Sequence, residues 1–410
     1  MPDIFLGILI GFLISLLNLL PGLHPAQILL ALLPLLFLGG DGALAVVCVA
    51  TGAGTVLSIL HATYQPMSQT MLAHSDPATK LAYKGFGPTA VRIHQAAVSV
   101  AFVTIAGLGL FLILPQMAGI NTMAAVAGGI EPIIPLLLMC TVGATVFRAG
   151  FPFRTIIVCA FATLLGFITF NHPDLVSSEW SMVPLLSGLF MAPVAEGILN
   201  TKRVKAVPPP QENLWVVGGE HEVKGSLIGC LTGFLAGIGS SSLVALIRRR
   251  ETEEEDYLAT ASAAEAGNAM FALLAFALIG STRSGSAVAL AQVAPEVDAI
   301  GALMAVGFLG IGVFGGHLLL NTVHHPYRVI IGLIPQKLLA LALLLGTLWL
   351  VFAYTGQLGI TIFACAWILG GVARDWHTPN QALMTTLIGP VIIYYMGWSA
   401  GLAELMGLMR

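Results

Sequence analysis

Long apolar runs recur along the whole chain. Residues 338–344, for example, read Leu-Leu-Ala-Leu-Ala-Leu-Leu without a polar side chain. A helix needs about 20 such residues to cross the roughly 30 Å hydrocarbon core of a bilayer. Only 9% of the 410 residues are charged and the mean hydropathy is +0.92, whereas soluble domains carry about 25% charged residues. The sequence therefore predicts an integral membrane protein.

These apolar runs favour helices over the strands of a membrane barrel. Barrel strands alternate apolar and polar residues over about ten positions, and the runs in this chain are continuous. We expect an all-α polytopic membrane protein with about ten transmembrane segments, some of them broken or doubled. The segments lie near 3–22, 42–62, 90–115, 120–146, 151–170, 183–199, 257–279, 286–320, 328–354 and 355–400.

Two glycine-containing elements interrupt the apolar segments. Residues 21–27 read P-G-L-H-P-A-Q, and residues 237–242 read G-I-G-S-S-S. Pro21 and Pro25 each remove a backbone donor and disfavour helix at the preceding residue. Broken helices are tolerated in a membrane where the freed backbone groups find protein or water partners. We therefore expect two broken or re-entrant elements.

A polar stretch divides the chain almost in half. Residues 200–224 hold several charged residues and a run of three prolines, which predicts a linker between a first membrane half, 1–199, and a second, 225–410. An offset of 215 residues lays the first break over the second and Gly52 over Gly267. This correspondence favours an internal repeat, although it does not extend beyond about residue 95 and leaves the relative orientation of the copies open.

Two basic loops predict which parts of the chain face the cytoplasm. Short loops rich in Lys and Arg tend to be cytoplasmic, and residues 202–205 and 248–250 both qualify. If both loops are cytoplasmic, the apolar stretch 225–247 between them cannot cross the membrane just once. It must then fold back as a re-entrant hairpin.

Arg283 is the strongest candidate for binding an anion. It lies in G-S-T-R-S-G-S, residues 280–286, which we interpret as a hairpin tip between two apolar runs. A guanidinium group can hold a carboxylate or phosphate through two parallel hydrogen bonds. A surface arginine that reaches to lipid headgroups is the alternative. The predicted substrate-binding residues come from this tip and the two breaks: Gly22, His24, Pro25, Gln27, Gly237, Gly239, Ser240, Ser241, Ser242, Arg283 and Ser284.

A second candidate site binds the coupling ion. Ser262, Glu265 and Asn268 are spaced three apart, so on a helix they share a face. Their oxygens could hold Na⁺, or Glu265 could exchange H⁺. The alternative is a structural role in which Glu265 pairs with Arg283 or caps a helix.

The sequence has no motif of a hydrolase or an ATPase. It lacks G-x-x-x-x-G-K-[ST], H-E-x-x-H and a nucleophile elbow, which are the signatures of those activities. We therefore expect no enzyme, no cofactor beyond Na⁺ or H⁺, and, because no basic aromatic-rich surface is visible, no nucleic acid.

Several motifs together resemble the TctA-type large permease of the tripartite tricarboxylate transporters, most closely its shorter archaeal-type branch. They are P-G-L-H-P at 21–25, Y-K-G-F-G-P-T-A-V at 83–91, G-I-G-S at 237–240 and the block 261–288. The resemblance implies a multi-pass permease of the cytoplasmic (inner) cell membrane that moves small organic anions such as tricarboxylates with an ion gradient. It also implies two partners, a small membrane subunit and an extracytoplasmic binding protein. Ala236 departs from the family pattern, which has proline there.

Two other functions fit the same residues. A translocase for an anionic lipid carrier, such as a polyprenyl phosphate, could use Arg283 equally well, because guanidinium groups bind phosphate as they bind carboxylate. A non-transporting membrane scaffold subunit would instead tie Arg283 to Glu265.

Overall fold

The computed structural model describes residues 2–19, 29, 40–64, 77–120, 128–129, 133–172, 176, 180–200, 219–234, 240–247, 253–282 and 284–405. Regular structure in these ranges is helical throughout, which confirms the predicted all-α polytopic fold. Seven helices in the same ranges are long and apolar enough to cross a bilayer: Gly40–Tyr64, Gly87–Met117, Pro152–Asn171, Met182–Asn200, Glu254–Ile279, Ala299–Leu333 and Lys337–Asp375. Shorter apolar helices accompany them.

The chain forms two compact units. Unit 1 comprises Met1–Gly129, Val204–Leu235 and Ile247–Ile334, and unit 2 comprises Ile130–Arg203, Ala236–Leu246 and Pro335–Arg410. Each unit therefore takes residues from both of the halves that the sequence suggested.

The described helices are labelled in chain order. Those of unit 1 are α1 (Pro2–Leu16), α2 (Gly40–Leu57), α3 (Ile59–Tyr64), α4 (Pro77–Tyr83), α5 (Gly87–Met117), α9 (Glu220–Phe234), α11 (Glu254–Ile279), α12 (Gly285–Val293) and α13 (Ala299–Leu333). Those of unit 2 are α6 (Ile134–Arg148), α7 (Pro152–Asn171), α8 (Met182–Asn200), α10 (Ser240–Ile247), α14 (Gln336–Asp375), α15 (Thr385–Tyr395) and α16 (Ser399–Leu405).

The helices of unit 1 repeat at the offset found in the sequence. Adding 215 to the bounds of α2 gives 255–272, inside α11, and adding 215 to those of α5 gives 302–332, inside α13. The packing repeats as well, because α1 packs along α2 and α9 packs along α11. This correspondence supports an internal repeat within unit 1 and extends it beyond residue 95.

The two copies run in opposite directions. Ser99 of α5 bonds His317 of α13, and Gln95 bonds Asn321, so the residue number falls along α5 as it rises along α13. The two helices are therefore antiparallel, although they occupy equivalent places in their copies. Inverted repeats of this kind are common in secondary transporters.

Glycines let α9 approach α11 closely. A Cβ atom on Gly229 would lie 2.5 Å from the carbonyl oxygen of Ala264, and one on Gly233 would lie 2.8 Å from that of Asn268. Gly225 makes a similar approach one turn earlier. Small residues at every fourth position are how transmembrane helices bring their backbones together. They hold α9 against the face that carries Asn268.

The predicted segment 286–320 is two helices. The short helix α12 ends at Val293, and α13 begins after Asp298, whose Oδ1 accepts a hydrogen bond of 2.7 Å from the backbone N–H of Gly301. An aspartate at this position satisfies an otherwise unpaired amide and fixes where a helix starts. The segment 286–320 is thus one of the broken ones.

In unit 2, one glycine divides the longest helix. The 40 residues of α14 would extend about 60 Å, twice the thickness of a bilayer core. Gly356 has φ 63° and ψ −157°, a backbone conformation that residues with a side chain rarely adopt. The break lies beside the predicted boundary at 354–355, and each part is long enough to cross a bilayer.

Candidate functional site

Many of the predicted substrate-binding residues lie outside the described residues. This is the case for Gly22, His24, Pro25, Gln27, Gly237, Gly239 and Arg283, and only the helical backbone of Ser241 and Ser242 is described. Their placement in the site stays a prediction.

Ser240 and Ser284 are described, and each lies at the start of a helix. Ser240 is buried and begins α10 in unit 2. Ser284 precedes α12 in unit 1, and its Oγ accepts a hydrogen bond of 3.1 Å from the backbone N–H of Ala287. Ser284 therefore has a capping role.

Both ends of the predicted hairpin tip are well defined. Gly280 ends α11 in the left-handed conformation, with φ 69°, and its N–H bonds the carbonyl of Phe276 at 2.7 Å. Ser284 then starts α12. The positive end of the α12 dipole follows Arg283 directly in sequence, and such an end favours an anion nearby.

The predicted coupling-ion residues lie on α11. Ser262 is buried, Asn268 is half-buried and Glu265 is exposed. Ser262 Oγ lies 2.9 Å from Nδ1 of His94 on α5. The hydroxyl of Ser262 thus has a histidine partner. Of the three residues, Ser262 lies in the interior of unit 1, Asn268 is partly exposed and Glu265 lies at the surface.

The hydrogen bonds of His94 determine its tautomer. Its Nε2 lies 2.9 Å from the carbonyl oxygen of Thr55, and because a carbonyl only accepts, Nε2 must carry the hydrogen. Nδ1 of the neutral ring then accepts from the hydroxyl of Ser262. This arrangement leaves the lone pairs of Ser262 Oγ directed away from the histidine and able to accept from, or coordinate, another group.

His94 was missed in the sequence. It is fully buried, yet a single histidine in an apolar helix gives no spacing or motif that predicts a partner 168 residues away. The one signal in the sequence was its position between Arg92 and Gln95, which form a polar stretch near the start of an otherwise apolar helix.

Other histidines of unit 1 also join helices. His61 Nδ1 lies 3.2 Å from the carbonyl oxygen of Asn18, and Tyr64 Oη lies 2.6 Å from His324 Nε2. Both His61 and Tyr64 thus have a partner on another element.

Glu222 is the most unusual acid of unit 1. It belonged to the predicted linker, but it lies in the first turn of α9, fully buried. Neither carboxyl oxygen has a hydrogen-bond partner within the described part of the chain. Its neighbour Glu220 is exposed instead, and a hydrogen bond from the Lys224 ammonium lowers the pKa of that carboxyl.

Among its described residues, unit 2 has no buried acid without a hydrogen-bond partner. Glu196 accepts from Trp367 Nε1 at 3.0 Å and pairs with Arg374 at 3.4 Å, so its carboxyl group joins α8 to α14. An open groove between α6, α7 and α15 is lined by apolar side chains and Thr163, without a charged group. Such a surface suits lipid tails better than an anion.

The comparisons with known proteins give one match. The sequence model of a family described as "Tripartite tricarboxylate transporter TctA family" matches residues 3–385. Comparisons with curated proteins and with solved structures gave no match. The matched range contains both breaks, the face of α11 that carries Ser262, and the hairpin tip.

Proposed function

Because the chain belongs to the tripartite tricarboxylate transporter TctA family, we propose that it transports a small organic anion of the di- or tricarboxylate class, coupled to Na⁺ or H⁺. The family identifies it as a multi-pass permease component. The match over residues 3–385 is the observation that carries the proposal, since it covers every candidate site residue.

We assign substrate binding to the two breaks and the hairpin tip. Arg283 would clamp a carboxylate, and the start of α12, capped by Ser284, adds a favourable dipole beside it. The breaks would supply backbone groups and the hydroxyls of residues 240–242. A multiply charged carboxylate needs such convergent donors.

We assign the coupling ion to the face of α11. The tautomer of His94 supports this, because Ser262 Oγ keeps its lone pairs available while its hydrogen is engaged. Glu265, one turn along α11, would supply the charge, and Asn268 an amide oxygen. Protonation of Glu265 would remove that charge, so we expect H⁺ and Na⁺ to compete there.

The family also suggests partners. A permease of a tripartite system works with a small membrane subunit and an extracytoplasmic binding protein, and we propose the same pair for this chain, in the cytoplasmic membrane. No catalytic activity is proposed.

Ligand-dependent thermal stability tests the assignment. A bound ligand raises the unfolding midpoint by mass action, so purified protein should be stabilised by citrate or a dicarboxylate, and more so with Na⁺ or at lower pH. Stabilisation by polyprenyl phosphate alone would favour the lipid-carrier translocase. No response to any of these anions would favour the scaffold subunit.

A further inference from the structure

A line of polar contacts joins α3, α5 and α13 in unit 1. It consists of Ser99 with His317 at 2.9 Å, Gln95 with Asn321 at 3.1 Å, and Tyr64 with His324 at 2.6 Å. Their partners on α13 are spaced four and three residues apart, so they share one face of that helix. The line runs toward the end of unit 1 where α5 begins and α13 ends.

Two arginines lie at that end without an ion pair to any described residue. Arg92 is five residues after the start of α5, and Arg328 is five residues before the end of α13, which places each about 8 Å inside its helix. Arg92 lies three residues before Gln95, and Arg328 lies four residues after His324, so each extends the helix face that carries these contacts. Neither arginine forms a salt bridge with a described residue.

The acids nearby are engaged elsewhere. On the first turn of α11, Glu254 pairs with Lys80 and Asp256 with His221, each at 3.7 Å. Each of these two acids thus already has a basic partner. Two like charges on adjoining helix faces at the edge of a bilayer are unfavourable unless an anion joins them.

A buried hydroxyl adds an unused donor. Tyr327 adjoins Arg328 and lies one turn from His324, and its Oη is buried with no hydrogen-bond partner in the described ranges. A buried polar group without a partner costs about 1–3 kcal/mol, so an acceptor oxygen supplied by a ligand would stabilise this hydroxyl.

We propose that Arg92, Arg328 and Tyr327 bind a phosphate group, either in the headgroup of an anionic phospholipid or as free inorganic phosphate. A phosphate offers several acceptor oxygens and matches the guanidinium fork. Basic residues near the cytoplasmic ends of transmembrane helices commonly meet anionic headgroups, and the positive-inside rule assigns this end of α11, which follows the arginines of 248–250, to the cytoplasm. The site lies where α5 and α11 begin, whereas Gly280 marks the other end of α11, and we do not include it in the proposed transport pathway.

The test measures the unfolding midpoint of the purified full-length protein in the absence of carboxylates. Phosphatidylglycerol is compared with phosphatidylcholine, and sodium phosphate with sodium chloride at equal ionic strength. We expect a rise in the midpoint with phosphatidylglycerol, phosphate or both. Arg92→Gln and Arg328→Gln should each raise the half-saturating concentration about tenfold or more, and Tyr327→Phe by less.

Arg154→Gln is the matched control. Arg154 lies near the start of a transmembrane helix in unit 2 and stacks on the ring of Phe151 at 4.6 Å, so its variant should respond as the wild type does. A response to the lipid alone identifies the headgroup as the ligand, and a response to both identifies phosphate itself. Absence of both responses, or an equal loss in Arg154→Gln and Arg92→Gln, overturns the site. If the glutamine variants fail to fold, Tyr327→Phe and Arg92→Lys give the same comparison.

Discussion

At the scale of single residues, the contact between Ser262 and His94 should matter most for the stability of unit 1. Ser262→Ala removes the donor to Nδ1 and leaves a buried nitrogen without a partner. We expect a loss of about 0.6–2 kcal/mol in unfolding free energy, the range for polar contacts between membrane helices and for unpaired buried groups. Ser99→Ala breaks the half-buried bond to His317 and should cost less. Reversible unfolding of the purified variants measures both, and equal losses would contradict this ranking.

At Glu222 we expect a substitution to stabilise the protein. Replacing a buried, unpaired carboxyl by an apolar group of similar size removes its desolvation penalty. Glu222→Met should therefore raise the unfolding midpoint, while Glu220→Gln, at an exposed position on the same helix, should leave it unchanged. A lower midpoint for Glu222→Met would mean that the carboxyl has a stabilising partner, and would contradict the burial argument.

At the scale of elements, the approach of α9 to α11 depends on glycine. In Gly229→Ala the new methyl group meets the backbone of α11, and overpacking of this kind costs about 1–3 kcal/mol. Gly107→Ala is the control, because a methyl group there contacts nothing within 4 Å and alanine has the higher helix propensity. Thermal unfolding should separate the two variants, and equal midpoints would argue against close packing.

Helical elements were predictable from the sequence, whereas their partners were not. Continuous apolar runs predicted the helices, and the predicted boundary at 354–355 lies beside the break in α14 at Gly356. The start of α13 was missed because the capping signal of Asp298 was outweighed by the apolar runs on both sides. The contact of His94 with Ser262 joins α5 to α11, and only the packing of whole helices decides which distant polar groups meet.

At the scale of the molecule, unit 1 contains two inverted copies, and the candidate coupling-ion residues lie on only one of them. At the offset of 215, Ser262 corresponds to Val47 and His94 to Leu309. The contact between Ser262 and His94 therefore has no counterpart at the equivalent positions of the repeat.

Uptake of labelled citrate by proteoliposomes tests the central claim, that this permease moves a small organic anion with an ion gradient. We predict accumulation under an inward Na⁺ or H⁺ gradient that disappears when the gradient is dissipated. Arg283→Ala should reduce uptake about tenfold or more, and Arg154→Ala should leave it intact. Folded protein that accumulates no di- or tricarboxylate under either gradient, with any required binding protein supplied, would contradict the account.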